Sequence, residues 1–94
     1  MDNYITRRHP ARSRIAELTS TNDYYAHKAD FVGPADKILA EFGWTLAAFN
    51  MPGDEGRCLA TIVDIHTESK EIGNLFVSWY RMPSGRYELT LYLV

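Results

Sequence analysis

The chain has 94 residues, 46% of them hydrophobic and 23% charged, with a formal net charge of −2. Such a length buries roughly 60–65% of the unfolded surface, enough for one core of two layers, so residues 1–94 are read as a single domain. A pI of about 5.8 excludes the overall basic footprint of a nucleic-acid binder.

The charge is unevenly placed. Residues 1–14 carry Arg7, Arg8, Arg12 and Arg14 against Asp2, and the remainder carries the acidic excess. That pattern reads as a solvated basic start or, more sharply, as an arm that steers an acidic partner. One cysteine, Cys58, excludes an internal disulfide framework and fits a reducing compartment. No apolar run approaches the roughly 20 residues of a membrane span, and no apolar h-region follows the first arginines. A cytoplasmic protein without membrane contact is the expectation.

In chain order, Tyr4-Ile5-Thr6 could add a short strand. Pro10 suits the first turn of a helix running to about Leu18, with Ala11, Ile15 and Leu18 on one stripe. Thr19–Asp23 breaks the chain, and Tyr24 to Val32 is either a short helix or an irregular segment that packs its aromatics. Together residues 1–32 form a partly helical, basic N-terminal segment. Gly33-Pro34 then opens the clearest helix, 34–42, whose Ala35, Ile38, Leu39 and Phe42 recur on one face before Gly43 ends it.

Four strand-like runs follow: 44–51, 57–66, 74–82 and 86–94. Their short connections imply an antiparallel meander, and the fold class is α+β, with helix 34–42 packed on one face of four strands. In the first run both alternating sets, Trp44/Leu46/Ala48 and Thr45/Ala47/Phe49/Met51, look partly buried. The last two runs have a derivable register. Pro83 and Gly85 fit a three-residue loop that sets Met82 opposite Arg86, so Trp79 meets Leu89, Val77 meets Leu91 and Leu75 meets Leu93. These residues form the core face, and Leu59, Thr61, Val63 and Ile65 of the second run are expected to continue it. The opposite, mixed face then holds Cys58, Ala60, Ile62 and Asp64 beside Phe76, Ser78, Tyr80, Met82, Arg86, Glu88, Thr90 and Tyr92.

Catalytic and metal chemistry find little support. His9, His27, His66 and Cys58 show no metal-ligand spacing. Cys58 and His66 would lie about 26 Å apart along one strand, too far for a thiolate and its base. Asp54/Glu55 and Glu68/Glu71 sit in turns, where solvated acids are ordinary. The expectation is therefore a non-enzymatic chain without cofactor or metal.

The mixed face is the functional lead. Ordinary burial beneath residues 1–32 would account for its aromatics, and so would the suitability of Tyr and Thr for a half-exposed sheet. The functional alternative is a protein-contact surface centred on Phe76, Tyr80, Arg86 and Tyr92, with Arg7, Arg8, Arg12 and Arg14 as the steering arm. Single-stranded nucleic acid stacking on the sheet aromatics is the second reading, opposed by Asp64 and Glu88 beside the rings. The 87–94 strand contains no Pro or Lys and would lie at a sheet edge. Either Tyr4-Ile5-Thr6 pairs there or the edge serves a homodimer or strand addition by a partner. The resulting expectation is a small protein-binding module, an inhibitor or accessory factor of the kind phages and mobile elements encode, acting by occluding a partner's surface.

Overall fold

The computed structural model describes residues 5–94. Two short helices, α1 (Pro10–Ala16) and α2 (Val32–Ala40), precede four strands, β1 (Trp44–Leu46), β2 (Glu55–Asp64), β3 (Glu71–Arg81) and β4 (Tyr87–Leu93). The strands form one antiparallel sheet in the order β1-β2-β3-β4. This is the α+β meander that the spacing of strand-like runs predicts.

The β3–β4 hairpin has the predicted register. Trp79 pairs with Leu89, Val77 with Leu91 and Leu75 with Leu93. At its tip Gly85 N–H donates to the Met82 carbonyl at 2.8 Å, and Met82 N–H donates to that of Arg86 at 2.7 Å. Gly85 takes φ +92°, a left-handed value that glycine adopts without steric cost.

The second strand differs from expectation. Gly56 pairs with Trp79, Cys58 with Val77 and Ala60 with Leu75, whereas Leu59 pairs with Phe76. Cys58, Ala60 and Ile62 therefore face the core, and Leu59 and Thr61 face the mixed side, the reverse of the sequence-based assignment. Two causes act together. The β2–β3 connection is longer than a tight turn, and a bulge between Ile62 and Val63 places an extra β3 residue, Ile72, in the core. The choice is also volumetric: a Cβ on Gly56 would stand 2.6 Å from Cζ2 of Trp79, so only a glycine can lie beneath that indole.

The helix α2 begins at Val32, two residues before the predicted start. Pro34 still falls in the first turn, where its missing N–H leaves no hydrogen bond unmade. The helix ends at Ala40, two residues before the predicted end, with Glu41 as its C-cap, and Gly43, φ +79°, follows after a turn. Its Ala35 and Leu39 are buried with Ala11 and Ile15 of α1 against Leu75, Val77, Leu89 and Leu91. Within that layer α2 lies against β1 and α1 against β4.

β1 is shorter than predicted. After Ala47, whose N–H donates to Thr61 at 2.9 Å, the chain leaves the ladder, and Phe49 and Met51 turn onto the core. This departure explains why both alternating sets of residues 44–51 look partly buried. Of the stretch Tyr24 to Val32, residues 24–31 hold only a bridge, bends and turns, the second of the two readings, and Val32 is the first residue of α2.

The edge of β4 is closed. Pairing with β3 turns the N–H and C=O groups of Tyr87, Leu89, Leu91 and Leu93 outward. Tyr25 exchanges two backbone bonds with Tyr87, of 3.0 and 2.7 Å. The Ser20 hydroxyl accepts from Leu89 N–H at 2.6 Å, and the Thr19 hydroxyl accepts from Leu91 N–H at 2.9 Å. Each hydroxyl also donates to the carbonyl of the same residue, both at 3.1 Å. Arg12 closes the row with a 2.6 Å bond to the Leu93 carbonyl. The free edge on which a Tyr87–Val94 homodimer was premised is thus taken by the N-terminal segment. Of the strand-like Tyr4-Ile5-Thr6, Tyr4 lies outside the described residues, and Ile5 is fully buried against Gly73.

Candidate functional site

Helices and the irregular N-terminal segment pack on one side of the sheet, so the other side carries the surface of interest. The observed registers arrange it in rows across β2, β3 and β4. Glu55, Tyr80 and Glu88 form the first row. Arg57, Ser78 and Thr90 form the second. Leu59, Phe76 and Tyr92 form the third, and Thr61, Asn74 and Val94 extend it.

The third row is apolar and open. Leu59 is 58% exposed and Tyr92 47%, with Phe76 half-buried between them. The Phe76 and Tyr92 rings stack with centroids 4.7 Å apart and 23° between planes. Val94, 52% exposed, lies in the next row on one side, and Tyr80, 49% exposed, lies beyond the Arg57–Ser78–Thr90 row on the other. Scattered exposed apolar residues are ordinary, whereas Leu59, Phe76 and Tyr92 are cross-strand neighbours in one row. The buried residues before β1, Ile5, Ala11, Ile15, Phe31, Ala35 and Leu39, belong to the core cluster with Leu75, Val77, Leu89 and Leu91.

Charge is segregated on this face. The acids Glu55 and Glu88 flank Tyr80, whereas Arg57 stands next to the apolar row. A partner meeting this surface encounters an acidic end, one guanidinium and then a hydrophobic stripe.

The structure divides the predicted contact residues. Phe76, Tyr80 and Tyr92 share the open face. Arg86 is engaged within the chain: its Nε donates to the Tyr24 carbonyl at 2.7 Å and ties down the N-terminal segment. The four-arginine arm is also divided. Arg12 donates to the carbonyls of Ile5, Thr6 and Leu93 at 3.0, 2.7 and 2.6 Å, so it is a clamp between segments. Arg14 forms a bidentate pair with Glu41 across α1 and α2, which holds the Glu41 carboxyl below its usual range. Only Arg7 and Arg8 remain exposed and unengaged among the four. Sequence reasoning also missed Leu59 and Arg57, because it placed the second strand one residue out of phase. The available signal was Gly56, whose missing side chain fits only opposite Trp79.

Other places in the molecule lack converging chemistry. Cys58 faces the core side, and desolvation pushes its thiol up, away from the thiolate a nucleophile requires. His9 caps α1 through Nδ1, which accepts from Ala11 N–H at 3.1 Å, and its ring packs on Phe42 and Trp44. Among the described residues no group of three or more His, Cys, Asp or Glu side chains gathers as metal ligands would. A depression of about 440 Å³ opens between Val32 and the 46–51 strip, but its one charged side chain, Lys28, is tied to the Gly53 carbonyl. Among the described residues no helix is long and apolar enough to cross a membrane. Comparison with protein-family models, curated proteins and solved structures finds no match to this chain.

Proposed function

We propose that this chain is a non-enzymatic protein-binding domain whose contact surface is the open sheet face centred on Leu59, Phe76 and Tyr92. One observation carries the reading: a cross-strand apolar row stands in solvent on a sheet whose other face is fully packed. Tyr and Arg on that face supply the residue types that dominate binding energies at interfaces. Occlusion of the partner's own working surface, as an inhibitor or accessory factor of mobile-element type, is the mode that suits a chain of this size.

A photo-crosslinking side chain installed at Leu59 or at Tyr92 tests this in the cells that make the protein. Both positions should yield the same covalent adduct, and the same probe at Lys37, exposed on α2, should yield none. Equal adducts at all three positions, or none at Leu59 and Tyr92, contradict the reading.

A second reading, single-stranded nucleic acid on the same face, draws on the exposed Tyr80 and Tyr92 rings and on Arg7 and Arg8. It ranks lower because Glu55 and Glu88 border Tyr80, and because Arg12 and Arg14 are already engaged. Oligonucleotide titrations at low and high salt decide it, since phosphate contacts weaken steeply with salt. Flat signals at low salt remove it.

A further inference from the structure

Exposure on the open face is graded across the sheet. Its middle strand, β3, contributes Asn74, Phe76 and Ser78, all half-buried, and then the exposed Tyr80. On the flanks, Glu55, Arg57 and Leu59 of β2 and Glu88, Thr90 and Tyr92 of β4 are exposed. The small Ser78 lies between Phe76 and Tyr80, so the floor dips where the two flanks stand out. Charge follows the same division. In the four rows β3 presents no charge, and Glu55, Arg57 and Glu88 all stand on the flanks. Among the described residues no ion pair uses any of the three. The face is therefore a trough with an uncharged floor and unneutralised rims.

The geometry points to an amphipathic α-helix of the partner protein as the occupant, lying along β3 between the two flanks. The inference rests on the proposed contact face and names what that face receives. The fit is dimensional first. β2 and β4 lie about 10 Å apart, two strand spacings, and a helix with its side chains is about 10 Å across. The four rows span about 20 Å along the strands, the length of a helix of about 13 residues. A partner sheet suits the trough less well, since face-to-face sheets interlock their inner faces as core and would bury Glu55, Arg57 and Glu88. A convex helix fills the floor and leaves those charges at its sides, in water. The chemistry of the helix follows from the rows. Its central stripe is apolar over Phe76 and Ser78, an acidic side chain flanks that stripe beside Arg57, and basic side chains stand at the end that meets Glu55 and Glu88. α1 and α2, of 7 and 9 residues, are shorter than the trough, so a second copy of this chain supplies no such helix.

Crosslink spacing along the β4 flank tests this in the cells that make the protein. Photo-crosslinking side chains are placed at Glu88, Tyr92 or Val94, one per variant, and the adducts are mapped by mass spectrometry. Glu88 and Val94 stand about 20 Å apart along the strand direction. Their adducts should fall in one partner segment about 13 residues apart, with the Tyr92 adduct between them. An extended partner segment would separate the outer two by only about 6 residues. That shorter spacing, adducts scattered over separate segments, or an adduct with a second copy overturns the helix and leaves the open face standing as the contact surface. No adduct at any position, or adducts with nucleic acid, contradicts the proposed function as well. The rim chemistry is tested on the captured partner once purified. Arg57→Glu should weaken binding about tenfold at low salt and less at high salt, whereas Arg57→Lys should keep most of the affinity. Arg57 is exposed and forms no ion pair among the described residues, so neither variant disturbs the fold. Wild-type affinity in Arg57→Glu overturns the assigned acidic flank.

Discussion

Removing the hydroxyl of Thr19 should be among the more costly polar substitutions in this protein. The Thr19 oxygen accepts from Leu91 N–H at 2.9 Å and donates to the Leu91 carbonyl at 3.1 Å. Leu91 is 1% exposed, so neither group has water as an alternative. Thr19→Val keeps the shape and leaves both groups unpaired. An orphaned buried amide costs about 1–3 kcal/mol, so a loss of about 2 kcal/mol is expected. Ser20→Ala should lose less, about 1 kcal/mol, because the Ser20 backbone N–H still donates to the Leu89 carbonyl at 3.0 Å. Urea denaturation of both variants and the wild type measures these differences. Exchange of the Leu89 and Leu91 amides locates them. In the double variant the uncovered β4 edge should also promote self-association, visible by light scattering. Variants within about 0.5 kcal/mol of wild type, with both amides still protected, would refute the assignment of these hydroxyls as the cover of the edge.

Three further outcomes follow from the packing and electrostatics. Gly56→Ala places a Cβ 2.6 Å from the Trp79 ring, which is 3% exposed and has nowhere to retreat. A loss of about 1–3 kcal/mol with shifted tryptophan fluorescence is expected, and unchanged stability would refute the observed β2 register. Arg12→Lys should cost about 2 kcal/mol, since one ammonium cannot reach the carbonyls of Ile5, Thr6 and Leu93 together; denaturation equal to wild type would show the clamp to be idle. Asp64 accepts the N–H groups of His66 and Thr67, which lowers its pKa. A lowered folded-state pKa contributes stability above the unfolded carboxylate value, about 4, and loses it as pH falls through the folded value. Urea midpoints of Asp64→Asn should therefore fall less steeply than wild type below that pH, and parallel acid limbs would contradict the claim.

Legibility in the sequence varied with how tightly each connection constrains the chain. The β3–β4 register could be derived because Pro83 and Gly85 leave one loop geometry, and a slip would bury Glu88 beside Trp79. The β2 register could not. Cys58/Ala60/Ile62 and Leu59/Thr61/Val63 are both apolar enough to face a core, and the longer 65–70 connection and the Ile72 bulge set the phase. Large residues on β3 chose the smaller set, with Trp79 lying over Gly56. The β4 edge was hidden for a different reason. Thr19 and Ser20 read as a helix-breaking cluster, and nothing local indicates that their hydroxyls will substitute for a strand seventy residues away. The arginines misled similarly, since Arg12 and Arg14 look like a free arm until the fold supplies main-chain carbonyls and Glu41. Phe76, Tyr80 and Tyr92 were legible because they depend only on the hairpin, whereas Leu59 required the full sheet.

The open face as contact surface is the central claim, and affinity is its most direct measure. With the partner captured at Leu59 and Tyr92 purified, calorimetric titration of Leu59→Ala and Tyr92→Ala should each show a loss of about 2 kcal/mol, or roughly 30-fold. Both side chains are about half exposed in the free chain, so thermal stability should remain near wild type. Lys37→Ala on α2 should bind as wild type does. Wild-type affinity in the Leu59 and Tyr92 variants would contradict the account.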